Sequence, residues 1–269
     1  MIEIPFAKLH GTENDFLLTW NAEISAGISE TAFPQVARHI CARNTGIGAD
    51  GWMLVWPEAG ALGTRLFNSD GSEPEISGNG TRCAAAFGLF KQALIPPHVS
   101  IITKAGKKEL HLISRSDKHF IFEMDMGLPE AEEIHATIRL DGSDFDATIL
   151  NVGNPQCAIF VKDFPGNWRT LAQQAERHDR FPQHTNVSFV RVLDRHTIET
   201  IFYERGAGET RSSGTGSTAA AAAAILRGIA ESPINVVTPA ATLALRWSDS
   251  IYLTGPAEMI GEGRFFLDL

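Results

Sequence analysis

The chain has 269 residues with 43% hydrophobic and 20% charged content, so at about 150 residues per domain it holds one large domain or two modest ones. That mixture is typical of a folded globular protein and excludes a disordered tail or a coiled coil. The net charge of −9 excludes a broad nucleic-acid surface.

In chain order, runs rich in Val, Ile, Phe and Thr predict strands at Ile2–Leu9 and Phe16–Trp20, followed by a helix at Phe33–Cys41. Strands follow at Gly51–Trp56 and Gly63–Asn68, with an alanine-rich helix at Arg82–Ala93. Five further strands are expected at Val99–Thr103, Glu109–Ser114, Phe120–Met124, Thr148–Asn151 and Cys157–Val161. A weaker helical pattern covers Leu171–Arg177, then strands at Val187–Leu193 and His196–Tyr203, and an alanine-rich helix at Ser217–Arg227. Strands at Ile234–Thr238, Ala241–Trp247 and Ser250–Thr254 complete an α/β chain.

The longest purely apolar run, Ala219 to Leu226, is eight residues, far short of the roughly 20 needed to span a membrane. The start, MIEIPFAKLHGTENDF, has neither the basic segment nor the apolar core of a signal peptide. Cys41, Cys83 and Cys157 are scattered without CxxC spacing. Together these features predict a cytoplasmic protein with no disulfide framework and no metal site.

Ser77-Gly-Asn-Gly-Thr-Arg-Cys-Ala-Ala-Ala resembles Ser213-Gly-Thr-Gly-Ser-Thr-Ala-Ala-Ala-Ala, which begins 136 residues later, close to half the chain. Each copy is a Ser-Gly-x-Gly turn opening an alanine-rich helix, and a charged stretch precedes each. The repeat predicts two duplicated halves with a boundary near Arg115–His119. Helix N-termini offer unpaired N–H groups and partial positive charge, and glycines let an anion approach. If the halves face one another, both helix starts point at one cleft, which suits negative charge developing on a carboxylate. Ser is also a favoured N-cap, so each turn reads equally as an ordinary helix start.

Gly46-Ile-Gly-Ala-Asp-Gly51 matches GxGxxG, but it follows a helix and leads into a strand, the reverse of a dinucleotide fingerprint. It reads as a helix C-terminal turn. The nine histidines lack metal-ligand spacing, and neither a P-loop nor a GxSxG elbow is present. Glu204-Arg205-Gly-Ala-Gly-Glu-Thr leads into the second glycine turn, where Arg suits a carboxylate and Glu an amine. Its alternative is an exposed ion-pair loop. Asn14, Asn68, Asn79, Asn154 and Asn186 recur in turns that contain Gly or Pro.

Together these segments resemble the diaminopimelate epimerase family nearly end to end. The resemblance is carried by Lys8-Leu-His-Gly-Thr-Glu-Asn-Asp-Phe16, Phe67-Asn-Ser-Asp-Gly-Ser-Glu73, the Ser77–Cys83 turn, Gly153-Asn-Pro-Gln-Cys157, Tyr203–Thr210 and Leu253-Thr-Gly-Pro256. It implies an α/β fold of two pseudo-symmetric halves, each a twisted, mostly antiparallel sheet around a central helix. Residues 1–116, rejoined by 258–269, would form the first half, and 117–257 the second. It further implies cofactor-independent conversion of LL- to meso-diaminopimelate in lysine biosynthesis, by a cytoplasmic enzyme without metal or pyridoxal phosphate and with a homodimer as the family assembly.

Family enzymes use a cysteine at each helix mouth, one removing the α-proton and the other protonating the opposite face. The resemblance places the carbanion at Gly78-Asn79 and Gly214-Thr215. It sets Asn68, Asn154, Asn186 and Arg205 about the distal end of the substrate, Asn14 nearby, and Glu204 near the reacting amine. This chain departs where the chemistry lies: Ser77 and Ser213 stand at the cysteine positions, and Gln156 at the usual histidine. A thiol with a pKa of about 8.5 can be poised as a base near neutrality, whereas a hydroxyl needs a neighbouring base. Glu204 is the best remaining carboxylate, so the sequence predicts weak or absent racemisation. Two alternatives stand beside that reading: a divergent isomerase of another small amino or carboxylic acid, and a non-catalytic small-molecule-binding protein.

Overall fold

In the computed structural model, residues 2–24 and 28–267 are described. The elements run β1 (Ile2–Gly11), β2 (Asn14–Trp20), α1 (Phe33–Ile40), β3 (Gly51–Glu58), β4 (Ala61–Asn68), α2 (Gly78–Phe90), β5 (His98–Thr103), β6 (Gly106–Ser116) and β7 (His119–Gly127). They continue with β8 (Glu130–Leu140), β9 (Ser143–Asn151), β10 (Pro155–Phe160), α3 (Trp168–Glu176), β11 (Asn186–Asp194), β12 (Thr197–Glu204), β13 (Gly208–Thr210) and α4 (Gly214–Leu226). The chain finishes with β14 (Ile234–Val237), β15 (Thr242–Trp247) and β16 (Ile251–Leu267). It divides into two compact units, Met1–Met124 with Gly255–Leu269, and Asp125–Thr254. The boundary expected at 116/117 falls in the turn between β6 and β7, inside the first unit.

In the first unit the strands follow the order β1-β2-β3-β4-β5-β6-β7-β16, and β16 pairs back onto β1, closing the sheet on itself. The β2–β3 and β4–β5 pairs are parallel. Parallel neighbours need a crossover, and α1 and α2 supply them. Helix α2 packs against β1, β2, β4, β5 and β6, and every residue from Gly78 to Leu89 is buried. A helix covered on all sides cannot be amphipathic, and its Gly-Ala sequence lets strands approach from every direction. Helix α1 instead has one apolar face, with Phe33, Val36, Ala37 and Ile40 set against Trp52 and Phe67.

The second unit repeats the pattern. Its order is β15-β14-β12-β11-β10-β9-β8, with β13 on β12 and residues 251–254 of β16 on β15. Here β10–β11 and β12–β14 are the parallel pairs, bridged by α3 and α4. Helix α4 is buried from Gly214 to Ala224 and packs against β9, β10, β11, β12, β14 and β15. Each unit is thus a mostly antiparallel sheet around an alanine-rich helix.

Several elements differ from the sequence expectation. Helices α2 and α4 begin at Gly78 and Gly214, so the glycines read as turn residues form the first helical turn. Strand β8 was not anticipated: its sequence, EAEEIHATIRL, is acidic and its first four residues are exposed. Charge along an exposed strand hides the apolar alternation that marks a buried one. Strand β13 was too short to signal itself, and β16 runs 17 residues through glycines and a proline that read as breakers. Among the described residues, no helix is long and apolar enough to cross a membrane.

Candidate functional site

In the first unit, Ser77 caps α2. Its backbone is extended (φ −125°, ψ 120°) and its Oγ accepts from Gly80 N at 3.1 Å, satisfying a donor the helix leaves open. Gly80 is required by contact: a Cβ there would lie 3.0 Å from Met53 Cε and 3.2 Å from Ser77 Cβ. The turn between β1 and β2 presents Asn14. Thr12 and Glu13 both hold positive φ (52° and 62°), the geometry of a two-residue hairpin turn that glycine or asparagine usually supplies. Such non-glycine positions store strain and cluster at functional sites.

Asn14 and Asn79 are buried and joined. Asn79 Nδ2 donates to Asn14 Oδ1 at 3.2 Å, and Asn14 Nδ2 donates to Asp50 Oδ2 at 2.7 Å. At the other end, Arg82 Nη2 donates to Asn79 Oδ1 at 2.5 Å. Arg43 bridges Asp15 and Asp50, and Lys8 lies 3.0 Å from Asp15. Burial pushes the Asp15 carboxyl up, but Arg43 and Lys8 outweigh it and hold Asp15 below the usual carboxylate range. Burial and the neighbouring Asp15 charge raise Asp50. Asn68, at the end of β4, turns to Ser72, donating from Nδ2 to Ser72 Oγ at 3.0 Å.

The second unit builds a parallel arrangement. Ser213 caps α4 with φ −136° and ψ 123°, its Oγ accepting from Gly216 N at 3.1 Å. It also donates to Glu204 Oε2 at 2.8 Å, while Thr210 Oγ1 donates to Glu204 Oε1 at 2.7 Å. A Cβ at Gly216 would lie 2.8 Å from Phe202 Cδ1. Gln156 Nε2 donates to Asn154 Oδ1 at 2.7 Å, and Asn154 Nδ2 reaches Thr215 Oγ1 at 3.4 Å. The other amide oxygen, Gln156 Oε1, is buried with no hydrogen-bond partner among the described residues. Asn186 Oδ1 accepts from Arg205 N at 3.1 Å, Asn186 Nδ2 donates to Pro155 O at 2.8 Å, and Arg205 Nη1 donates to Gln183 O at 3.3 Å.

Within the first unit, then, Asn14, Asn79 and the Ser77-Gly78 cap converge on the start of α2, while Asn68 bonds separately. Within the second, Asn154 joins Thr215, Asn186 joins Arg205, and Glu204 joins the Ser213-Gly214 cap. Gly46-Ile47-Gly48 wraps the end of α1, with Ile47 N and Gly48 N both on Ile40 O, as a C-terminal turn should. All three cysteines are free and buried, and burial pushes each thiol up to about 12. Among the described residues, no group of three or more His, Cys, Asp or Glu is placed to hold a metal. Asp50 and Arg82 were not singled out from the sequence. For Arg82 the available signal was a charged residue inside a helix whose other residues are nearly all small or apolar, which marks a buried charge.

The whole chain superposes on a hydroxyproline epimerase from Agrobacterium vitis with a TM-score of 0.77 at 16% identity, covering 100% of this chain and 95% of that one. A phenazine biosynthesis protein of Bacillus anthracis gives 0.71 at 14% identity, covering 99% and 100%. The fold is therefore one shared by epimerases and related proteins, a closed sheet around a helix. At the level of sequence, the family model described as Diaminopimelate epimerase matches residues 6–131 and 148–260. Diaminopimelate epimerases of Moorella thermoacetica and Nostoc punctiforme are 37% and 35% identical over 98% and 97% of this chain and 99% of each relative. The chain belongs to the diaminopimelate epimerase family, a family of isomerases.

Proposed function

We propose that this chain binds diaminopimelate, or a closely similar amino acid, in a cofactor-independent epimerase site, and that with serine at positions 77 and 213 it exchanges the α-proton weakly or not at all. The observation that carries the reading is the recurrence of one device in both units: a serine at a helix mouth, flanked by buried side chains of the binding type. In the reaction, a base takes the α-proton, the electron pair passes into the carboxylate, and an acid returns a proton to the opposite face. Gly78-Asn79 and Gly214-Thr215 supply backbone donors for the anion, with Asn14 beside Asn79. Asn68, Asn154, Asn186 and Arg205 hold the distal end of the ligand. Glu204 lies near the reacting amine and takes the Ser213 hydrogen bond, but among the described residues no carboxylate is bonded to Ser77 Oγ.

The test is deuterium exchange at the α-carbon, followed by NMR in heavy water, with LL- and meso-diaminopimelate. The Ser77→Cys/Ser213→Cys protein is expected to exceed the serine protein by about 10²- to 10⁴-fold, the usual worth of a placed acid–base pair. A folded double variant with no exchange overturns the diaminopimelate reading.

A second reading, a divergent isomerase of another small amino or carboxylic acid, is favoured by the Ser213–Glu204 pair, because a carboxylate is a proton acceptor in its own right. Its signature is exchange into another acid by the serine protein, lost in Glu204→Gln. A cytoplasmic location in lysine biosynthesis and a homodimer complete the proposal. Buried free thiols are in keeping with a reducing compartment.

A further inference from the structure

One buried charge has no part in the proposed reaction. Arg82 is 0% exposed, and among the described residues no carboxylate pairs with it. Its Nε donates to Pro256 O at 3.1 Å, its Nη1 to Gly78 O at 3.3 Å, and its Nη2 to Asn79 Oδ1. A guanidinium taken out of water without a counter-ion is costly, so its retention here calls for a reason. Burial lowers its pKa to about 10, which leaves it charged at neutral pH. At the corresponding place in the second unit stands Thr218, whose Oγ1 merely donates to Gly214 O at 2.9 Å.

The arginine also ends a polarised chain. From Arg82 the bonds run to Asn79 Oδ1, from Asn79 Nδ2 to Asn14 Oδ1, and from Asn14 Nδ2 to Asp50. With a cation at one end and a carboxylate at the other, rotating either amide by half a turn would set donor against donor and acceptor against acceptor. We propose that Arg82 is a positioning residue of the first half-site, locking the Asn79 amide and keeping a buried cation beneath the Ser77 turn, so that this is the anion-stabilising end of the site. The proposal rests on the reading that Ser77 and Asn79 face the ligand. The other charged groups at this end are Asp15 on β2, Arg65 on β4 with its partner Glu73, Glu75 before α2, and Lys104 after β5. They stay constant when Arg82 alone is changed.

A thiol placed at each serine position reports the local charge without any ligand. Ser77→Cys and Ser213→Cys are made separately, and thiolate formation is followed by ultraviolet absorbance against pH. The three native thiols, raised to about 12, stay silent across neutral pH. The Ser77→Cys thiol is expected to ionise at least about one pH unit below the Ser213→Cys thiol, which has the Glu204 carboxylate beside it. Adding Arg82→Met should raise the Ser77→Cys midpoint by about one unit and leave the Ser213→Cys midpoint in place. Equal midpoints at the two positions, or an Arg82→Met shift of the same size at both, overturn the proposal. Where Arg82→Met does not fold, Arg82→Gln, which keeps amide donors but removes the charge, takes its place, and an unmoved Ser77→Cys midpoint in that variant overturns the proposal. No diaminopimelate is present, so failure here is separate from failure of the exchange experiment.

Discussion

The two units share two parallel strand pairs each bridged by a helix, and a serine cap in nearly the same backbone conformation, while the first closes its sheet through β16 and the second adds β13. They differ in charge. Moving 136 residues along, Arg82 becomes Thr218, Asn79 becomes Thr215, and Asn68 becomes Glu204. The first helix mouth therefore has a buried cation behind it, and the second has a carboxylate hydrogen-bonded to its serine. The two units share the serine-capped helix start, and the charges around each start differ.

The largest effect is expected from restoring thiols on both sides. If both units contribute, Ser77→Cys alone and Ser213→Cys alone should stay near the serine protein in α-proton exchange, and only the double variant should gain. A single variant as active as the double would break the two-sided comparison.

Next in size is Arg82→Met against Thr218→Val. Removing the guanidinium takes one donor each from Asn79 Oδ1, Gly78 O and Pro256 O, at about 1 kcal/mol per lost bond and about 1.5–3 kcal/mol where the bond is to a charged group. Thr218→Val loses one local bond, worth about 1 kcal/mol. Urea unfolding of the two variants measures the gap, and equal losses would mean that the buried charge carries no special structural weight.

A smaller difference is expected between the caps. Ser77→Ala should cost about 1 kcal/mol of stability, the usual worth of an N-cap. Ser213→Ala should cost more, since Glu204 Oε2 also loses its hydroxyl donor. Thermal melts of both variants in parallel would show whether the pairing with Glu204 stabilises the fold.

The alkaline limb of stability gives a check on burial in both units. Cys83 and Cys157 keep their protons in the folded state up to about 12, whereas an unfolded thiol ionises near about 8.5. Because the folded pKa is the higher one, this contribution is whole below about 8.5 and is lost as pH rises toward 12. Unfolding free energy should fall with pH above about 9, and Cys83→Ala or Cys157→Ala should each flatten the slope by up to about 1.4 kcal/mol per pH unit.

Much of the architecture was legible because it lies in local pattern. Fourteen strand runs and four helical patterns marked most elements, and the Ser-Gly-x-Gly repeat marked the start of the buried helix in each unit. Strand β8 escaped because its acidic face follows no alternation. Asp50 was read only as part of a glycine-rich turn, and Arg82 only as the start of an alanine-rich helix, because their importance comes from what folds onto them. Asp50 meets Asn14 from 36 residues away, and Arg82 meets Pro256 from 174 residues away. The serines were visible as helix caps, but the Ser213–Glu204 bond depends on β13 folding back on β12, a three-residue strand below any sequence signal.

Helix α4 runs from Ala219 through Ala224 as six consecutive alanines, every one at 1% exposure or less. An ordinary surface helix offers evolution a wet side on which nearly any residue is harmless. This alanine run has none, so each added methylene must displace a strand, and overpacking costs about 1–3 kcal/mol per insertion. Substitutions along it should be purged at every position rather than at one in two, leaving the rods at the centre of each unit as the slowest-changing parts of the gene and pushing adaptation outward to the mouths where they begin.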